Sequence, residues 1–183
     1  MKMYPATTAI KHSEEDKDLD DIILPINFDE TREGIAKNIE TRKKAISYLI
    51  NGGCVGIFPG GTVSTALKPF GKAMDPSWRK FTARLIAKSG ANVIPIYFKG
   101  SNSRIFQIAS HLHYNLRMAL LINEFGRRTN DKVSIVIGKT FNKDKLQKYN
   151  DDADGLMRFL RTETYKLSPD KNKNYDEGFD FDA

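Results

Sequence analysis

Between Gly56 and Ala73 the chain reads GIFPGGTVSTALKPFGKA, an apolar run that leaves through Phe58, Pro59, Gly60 and Gly61 into a stretch bearing Thr62, Ser64, Lys68 and Lys72. Two adjacent glycines at a strand exit remove the side chains that would hold a ligand away from the backbone, so successive N–H groups can point at an anion. The Thr62 and Ser64 hydroxyls add donors, and Lys68 and Lys72 add positive charge. Together these are the ingredients of a phosphate or oxyanion site. The competing reading is a plain turn, the commoner use of Pro-Gly-Gly. The spacing excludes two other loops: the G-x-x-x-x-G-K-[ST] of a P-loop is absent, and so is the G-x-S-x-G of a nucleophile elbow.

Other residues capable of chemistry are few. Cys54 is the one cysteine, so it forms no internal disulfide and no Cys-rich zinc site; its apolar neighbours predict a reduced, buried thiol. His111 and His113 alternate in SHLHYN with no third ligand nearby, which predicts a helix-end role or a solvent-facing ring, and no metal. Arg104 follows Asn102 and Ser103 at a strand-to-helix junction. From there it can reach a phosphate, the alternative being a surface salt bridge, and Asn102 or Ser103 can cap the helix. Arg117, Arg127 and Arg128 flank the apolar run MALLI, which reads either as an interfacial membrane face or as a buried helix with solvated ends.

The elements that would position these groups follow from composition and periodicity. The 183 residues, 40% hydrophobic and 28% charged, suit one globular domain, and the formal net charge of +6 favours anionic partners. Residues 1–20 are polar and aperiodic and are expected to be loosely ordered. They hold no apolar signal region, and no stretch approaches the roughly 18 apolar residues of a membrane span. A cytoplasmic chain, peripheral on the inner face of the membrane, is expected. Strands are predicted at 22–28, 54–58, 92–98 and 132–138. Helices are predicted over 31–51, capped by Asp29 or Thr31, ended by Gly52 and Gly53 and apolar along Ile35, Ile39, Ile46, Leu49 and Ile50; over 76–89, capped by Asp75 and Pro76 and ended by Gly90; within 103–125, broken near Asn115; and over 151–167. Residues 169–183 read as a loose tail. Strands alternating with helices predict an α/β domain over 21–168, a mostly parallel sheet flanked by helices, with ligands beyond the carboxyl ends of its strands.

IFPGGTVST resembles the third motif of the glycerolipid acyltransferase superfamily, the 1-acylglycerol-3-phosphate (lysophospholipid) acyltransferase type, written F-P-E-G-T-R-S. Phe58, Pro59, Gly61, Thr62 and Ser64 match, whereas Gly60 replaces Glu and Val63 replaces Arg. NVIPIYF, with Pro95, resembles the fourth motif. FKGSNSRIFQIASHL, then LRMALLINEFGRR and KVSIVIGKTF, resemble a bacterial branch carrying a Gly-x-Asn-Ser-x-x-Phe signature. The resemblance spans roughly residues 22 to 167 in order. The family's catalytic motif is His, four residues, then Asp, the His being the base for the acceptor hydroxyl. Here His12 is followed five places on by Lys17, so His12 is read as a coincidental tail residue and the domain as one truncated at its N-terminus.

The resemblance implies transfer of a fatty acyl group from an acyl-CoA or acyl carrier protein thioester to a lysophospholipid hydroxyl, with little activity expected of this chain. It implies an acceptor site from Phe58, Pro59, Gly60, Gly61, Thr62, Ser64, Lys68, Pro95 and Arg104, no resident cofactor, and contact with an anionic membrane surface. The alternative is a non-catalytic anion- and lipid-binding remnant. The basic residues are not interleaved with exposed aromatics, so nucleic acid is not an expected partner.

Overall fold

The computed structural model describes residues 3–6, 31–171 and 174–181. In chain order the elements are β1 (Met3–Ala6), α1 (Arg32–Ile50), β2 (Cys54–Ile57), β3 (Thr65–Ala66), β4 (Ala73–Met74), α2 (Lys80–Ser89), β5 (Ile96–Phe98), α3 (Arg104–Leu112), α4 (Tyr114–Arg128), β6 (Ile135–Ile137), the single turn α5 (Lys143–Leu146) with a 3₁₀ turn after it, and α6 (Ala153–Lys166). They divide between two compact units. One comprises Met1–Gly61, Arg79–Val93 and Phe141–Met157; the other comprises Thr62–Trp78, Ile94–Thr140 and Arg158–Ala183.

In the first unit, helix ends are set by local chemistry. Thr31 caps α1 by accepting from the Gly34 N–H at 3.1 Å, and Glu33–Lys37 and Glu40–Lys44 pair along its exposed side. Its far end is a Schellman closure: the Gly53 N–H reaches Tyr48 O and the Gly52 N–H reaches Leu49 O. Gly52 takes φ +82°, which a side chain would oppose. Gly90 ends α2 in the same left-handed region, its N–H on Ile86 O. The core is mostly aliphatic: Ala45, Ala83, Leu85, Ile86, Leu146, Leu156 and Met157 are buried, with one aromatic ring, Phe141. The expected apolar face of α1 is not the buried one. Gly34, Thr41 and Ala45 are buried, while Ile35, Ile39 and Ile50 are exposed. Small residues let a neighbouring element approach closely; α1 and α2 pack together in this unit.

The second unit is built on the helix pair α3 and α4. Ser103 caps α3, accepting from the Phe106 N–H at 3.2 Å. The helix stops at His113, whose extended backbone (φ −161°, ψ 136°) separates it from α4. The break thus falls two residues before Asn115. Residues 174–181, within the stretch the sequence reads as a tail, hydrogen-bond to this unit: the Gly178 N–H donates to Asp75 O and the Phe179 N–H to Thr65 O.

The expected mostly parallel sheet is not the architecture. The described strands form three separate two-stranded sheets: β1–β2 parallel, β3–β4 and β5–β6 antiparallel. The predicted strands at 54–58 and 92–98 therefore lie in different sheets, and the one at 22–28 lies outside the described residues. Two physical reasons account for this. A single crossover helix returns the chain parallel, whereas two successive packed helices, α3 and α4, return it antiparallel. In addition, Pro95 splits the predicted strand at 92–98. Val93 makes an isolated bridge to Phe141, and regular pairing resumes only at Ile96. Continuous apolarity also did not mean burial, since Ile96, Phe98, Ile135 and Ile137 are all exposed. Likewise Cys54, expected to be buried, is exposed.

Candidate functional site

The residues of the opening motif are divided between the two units. Phe58, Pro59, Gly60 and Gly61 belong to the first. There they form a turn closed by the Gly61 N–H on Phe58 O at 3.3 Å, and Pro59 O accepts from the Arg79 N–H. Gly61 has φ +70°, a conformation that favours glycine. Gly60 is buried and Phe58 exposed. Thr62, Ser64, Lys68, Pro95 and Arg104 belong to the second unit. The hydroxyls there have protein partners: Thr62 Oγ1 accepts from Arg117 Nη2 at 3.4 Å, and Ser64 Oγ donates to Asp75. Lys68 is exposed, and its carbonyl closes a turn with the Gly71 N–H. Pro95 is buried and its carbonyl accepts from the Gly138 N–H. His12 lies outside the described residues.

Asp75 does not cap α2, which begins at Lys80. Its carboxylate instead takes Ser64 Oγ and Trp78 Nε1. Its backbone N–H donates to the Tyr165 phenol oxygen at 2.9 Å. Burial, with the Asp75 charge second, pushes the Tyr165 phenol well above its ordinary range, so it stays protonated.

Within the second unit a cleft of about 740 Å³ opens at the start of α3. Lys72, Ala73, Ser101, Asn102, Ser103, Arg104, Gln107, Asp170 and Lys171 line it. Three cations face one carboxylate, and Lys72 Nζ meets Asp170 at 2.8 Å. That pair is exposed and adds little stability, but it holds the Asp170 carboxyl below its usual range. Arg104 is pinned by its own guanidinium, which donates to Phe70 O at 3.2 Å and Gly71 O at 2.6 Å. Of the residues expected to bind the acceptor, Arg104 alone lines this cleft; Thr62, Ser64, Lys68 and Pro95 do not.

Behind the cleft the core is polar. Gln107 is 1% exposed; its Oε1 accepts from the Ala66 N–H at 2.8 Å, and its Nε2 has no hydrogen-bond partner among the described residues. An orphan buried donor costs about 1–3 kcal/mol. Arg117 is 3% exposed. It donates to Thr65 Oγ1 at 2.7 Å, Ser110 Oγ at 2.9 Å and Val63 O at 3.3 Å, and it lies over the rings of Phe106 and Phe181. Glu124 is also buried and accepts from the Ser103 N–H at 3.1 Å, anchoring the residue that caps α3. Burial alone would raise its pKa; the Ser103 hydrogen bonds, with Arg127 and Arg128, outweigh it and hold the carboxyl below its ordinary value.

Both described histidines have local partners. His111 Nε2 lies 2.8 Å from Ala66 O and its ring meets Phe179 edge-on. His113 Nδ1 accepts from the Asn115 N–H at the start of α4. Sequence reasoning missed Gln107, Asp170 and Lys171, and it read Arg117 only as a flanking charge. One signal was present: in RIFQIASH, Gln107, Ser110 and His111 recur at helical spacing beside Phe106 and Ala109, so polar groups share the inward face. No family model matches the chain, and neither the curated proteins nor the solved structures compared with it give a match.

Proposed function

We propose that this chain is an acyltransferase-type domain of glycerolipid synthesis that receives a lysophospholipid acceptor. The observation that carries the reading is the place of the Gly-x-Asn-Ser-x-x-Phe segment. Its Asn102 and Ser103, with the adjoining Arg104, line the cationic cleft. In the reaction, the acceptor hydroxyl oxygen attacks the thioester carbonyl carbon, an ester C–O bond forms, the C–S bond breaks, and the hydroxyl proton leaves to a base and finally to the thiol. The membrane side of the reading rests on α4. Tyr114, Met118, Ile122 and Phe125 recur at helical spacing and are exposed, with Arg127 and Arg128 at the helix end. An apolar stripe bordered by cations suits an anionic interface. No described helix is long and apolar enough to cross a membrane.

A second reading is a binding module that keeps the acceptor surface without the chemistry. It is favoured by the engagement of His111 and His113 in local contacts and by Lys17 standing where a His12-based motif needs Asp. A positioned base is worth about 10²–10⁴-fold, so turnover is expected to be low. Thioester release from acyl-CoA with a lysophosphatidic acid separates the two readings. Release that disappears in His12→Ala makes His12 the base. Salt-sensitive binding of anionic vesicles without release leaves the binding module. Absence of both release and binding removes the acyltransferase reading.

A further inference from the structure

We infer that the N-terminus of α3, with the Gln107 amide behind it, is a binding site for a phosphate monoester. The first N–H groups of a helix lack intrahelical acceptors and carry the positive end of its dipole. α3 runs nine residues, and the cleft opens on its first turn. The independent observation is Gln107. The Ala66 N–H fixes which branch of the amide is oxygen, because turning the group over would set two donors against each other. Nε2 is therefore a buried, unspent donor on a residue that lines the cleft. Gln107 follows Ser103 by four residues and shares its face, and helical side chains lean toward the N-terminus. Backbone N–H groups, a side-chain amide and a surplus of cations suit a dianion with three acceptor oxygens better than a monoanionic carboxylate. The volume leaves room for the organic remainder of an ester.

Asp170 opposes the ligand and holds Lys72. A phosphate must compete for that ammonium, so Asp170 sets the affinity from inside the site. The placement differs from the Gly60–Gly61–Thr62 loop that the sequence suggests. That the phosphate belongs to a lysolipid rests on the acyltransferase reading; the site does not.

The test is a titration of the isotopically labelled chain with inorganic phosphate at low ionic strength, followed by NMR. The Gln107 side-chain NH₂ and the Arg104 and Ile105 amides are expected to shift saturably. Gln107→Glu keeps the acceptor for Ala66 and replaces the donor by an anionic oxygen, and it should weaken phosphate at least about ten-fold. Asp170→Asn should tighten it several-fold. No saturable shift in the unsubstituted chain, equal binding in a folded Gln107→Glu chain, or weaker binding in Asp170→Asn overturns the site. If Gln107→Glu does not fold, the parent and Asp170→Asn titrations still decide. Glycerol 3-phosphate and a lysophosphatidic acid below its micelle concentration form the remaining arms. Phosphate and glycerol 3-phosphate at Gln107 with no lysolipid binding sustains the site for soluble esters and sinks the lipid reading. Lysolipid binding that leaves Gln107 unshifted does the reverse.

Discussion

The two units solve the problem of making a core with different materials. In the first, Ala45, Ala83, Leu85, Ile86 and Leu156 exclude water with side chains that carry no hydrogen-bonding groups, and the buried polar side chains are the threonines Thr41 and Thr82. In the second, Arg117, Arg161, Gln107, Glu124 and Thr65 are as deeply buried, so the interior holds only if each polar group finds a partner. Arg161 does so through its two Nη groups, which donate to three carbonyls, those of Asp75, Tyr175 and Asp176, while its Nε has no partner among the described residues. The lesson is about where a ligand site can arise. A mostly apolar core has few donors to leave unspent. A polar core that is nearly satisfied leaves two among the described residues, Gln107 Nε2 and Arg161 Nε, and of these residues only Gln107 lines the cleft.

That contrast can be broken by substitution. Leu85→Ala should cost the most, about 3–5 kcal/mol, through lost transfer energy and the cavity left behind. Urea unfolding with residue-resolved hydrogen exchange should show protection lost first in α1 and α2; equal loss in α3 and α4 would mean the units share one stability. Arg117→Met should follow at about 2–4 kcal/mol, because Thr65 and Ser110 lose a buried partner. A double-mutant cycle with Thr65→Val should reveal coupling, and strict additivity would deny that the network acts as a unit. Gly178→Val should cost about 1–3 kcal/mol, since a Cβ there would clash with the carbonyls of Met74 and Thr65. Its readout is earlier proteolysis within 174–181.

Smaller effects sharpen the picture. The Glu124 carboxyl is held below its ordinary value in the folded chain. Its contribution is therefore complete above the unfolded carboxylate pKa and is lost as pH falls through the lower folded value. Protection of the Ser103 amide should decline over that acid range, and Glu124→Gln should flatten the decline. The smallest change belongs to Glu33→Gln, which breaks an exposed pair with Lys37; the unfolding midpoint should not move measurably, and a clear shift would show that α1 depends on its surface charges.

Much of the helical content was legible because helix ends are decided locally. Thr31, Gly52, Gly53 and Gly90 do in the structure what their types predict, and the helix expected at 151–167 runs from Ala153 to Lys166. The Asp75 cap failed because residues distant in sequence, Ser64 and Tyr165, compete for that residue. The sheet failed for a related reason. An apolar run such as IYF or IVI states that a strand is possible, not which strand it will meet or in which sense. Of the expected acceptor residues, Arg104 was readable from its junction with Asn102 and Ser103. Asp170 and Lys171 were not, being more than 60 residues away in the sequence.

The sequence by itself determined both ends of α1, the glycine that ends α2 and the span of α6, and that the chain carries excess positive charge. These depend on backbone sterics and composition within a few residues. Only the tertiary structure decided which strands pair, that Ile35, Ile39 and Ile50 of α1 and Cys54 are exposed, and that Arg117 lies inside. It alone brought Lys72, Arg104, Gln107 and Lys171 around one cleft. Those outcomes turn on the competition among distant groups for burial and for hydrogen-bond partners, and no local pattern encodes which of them wins.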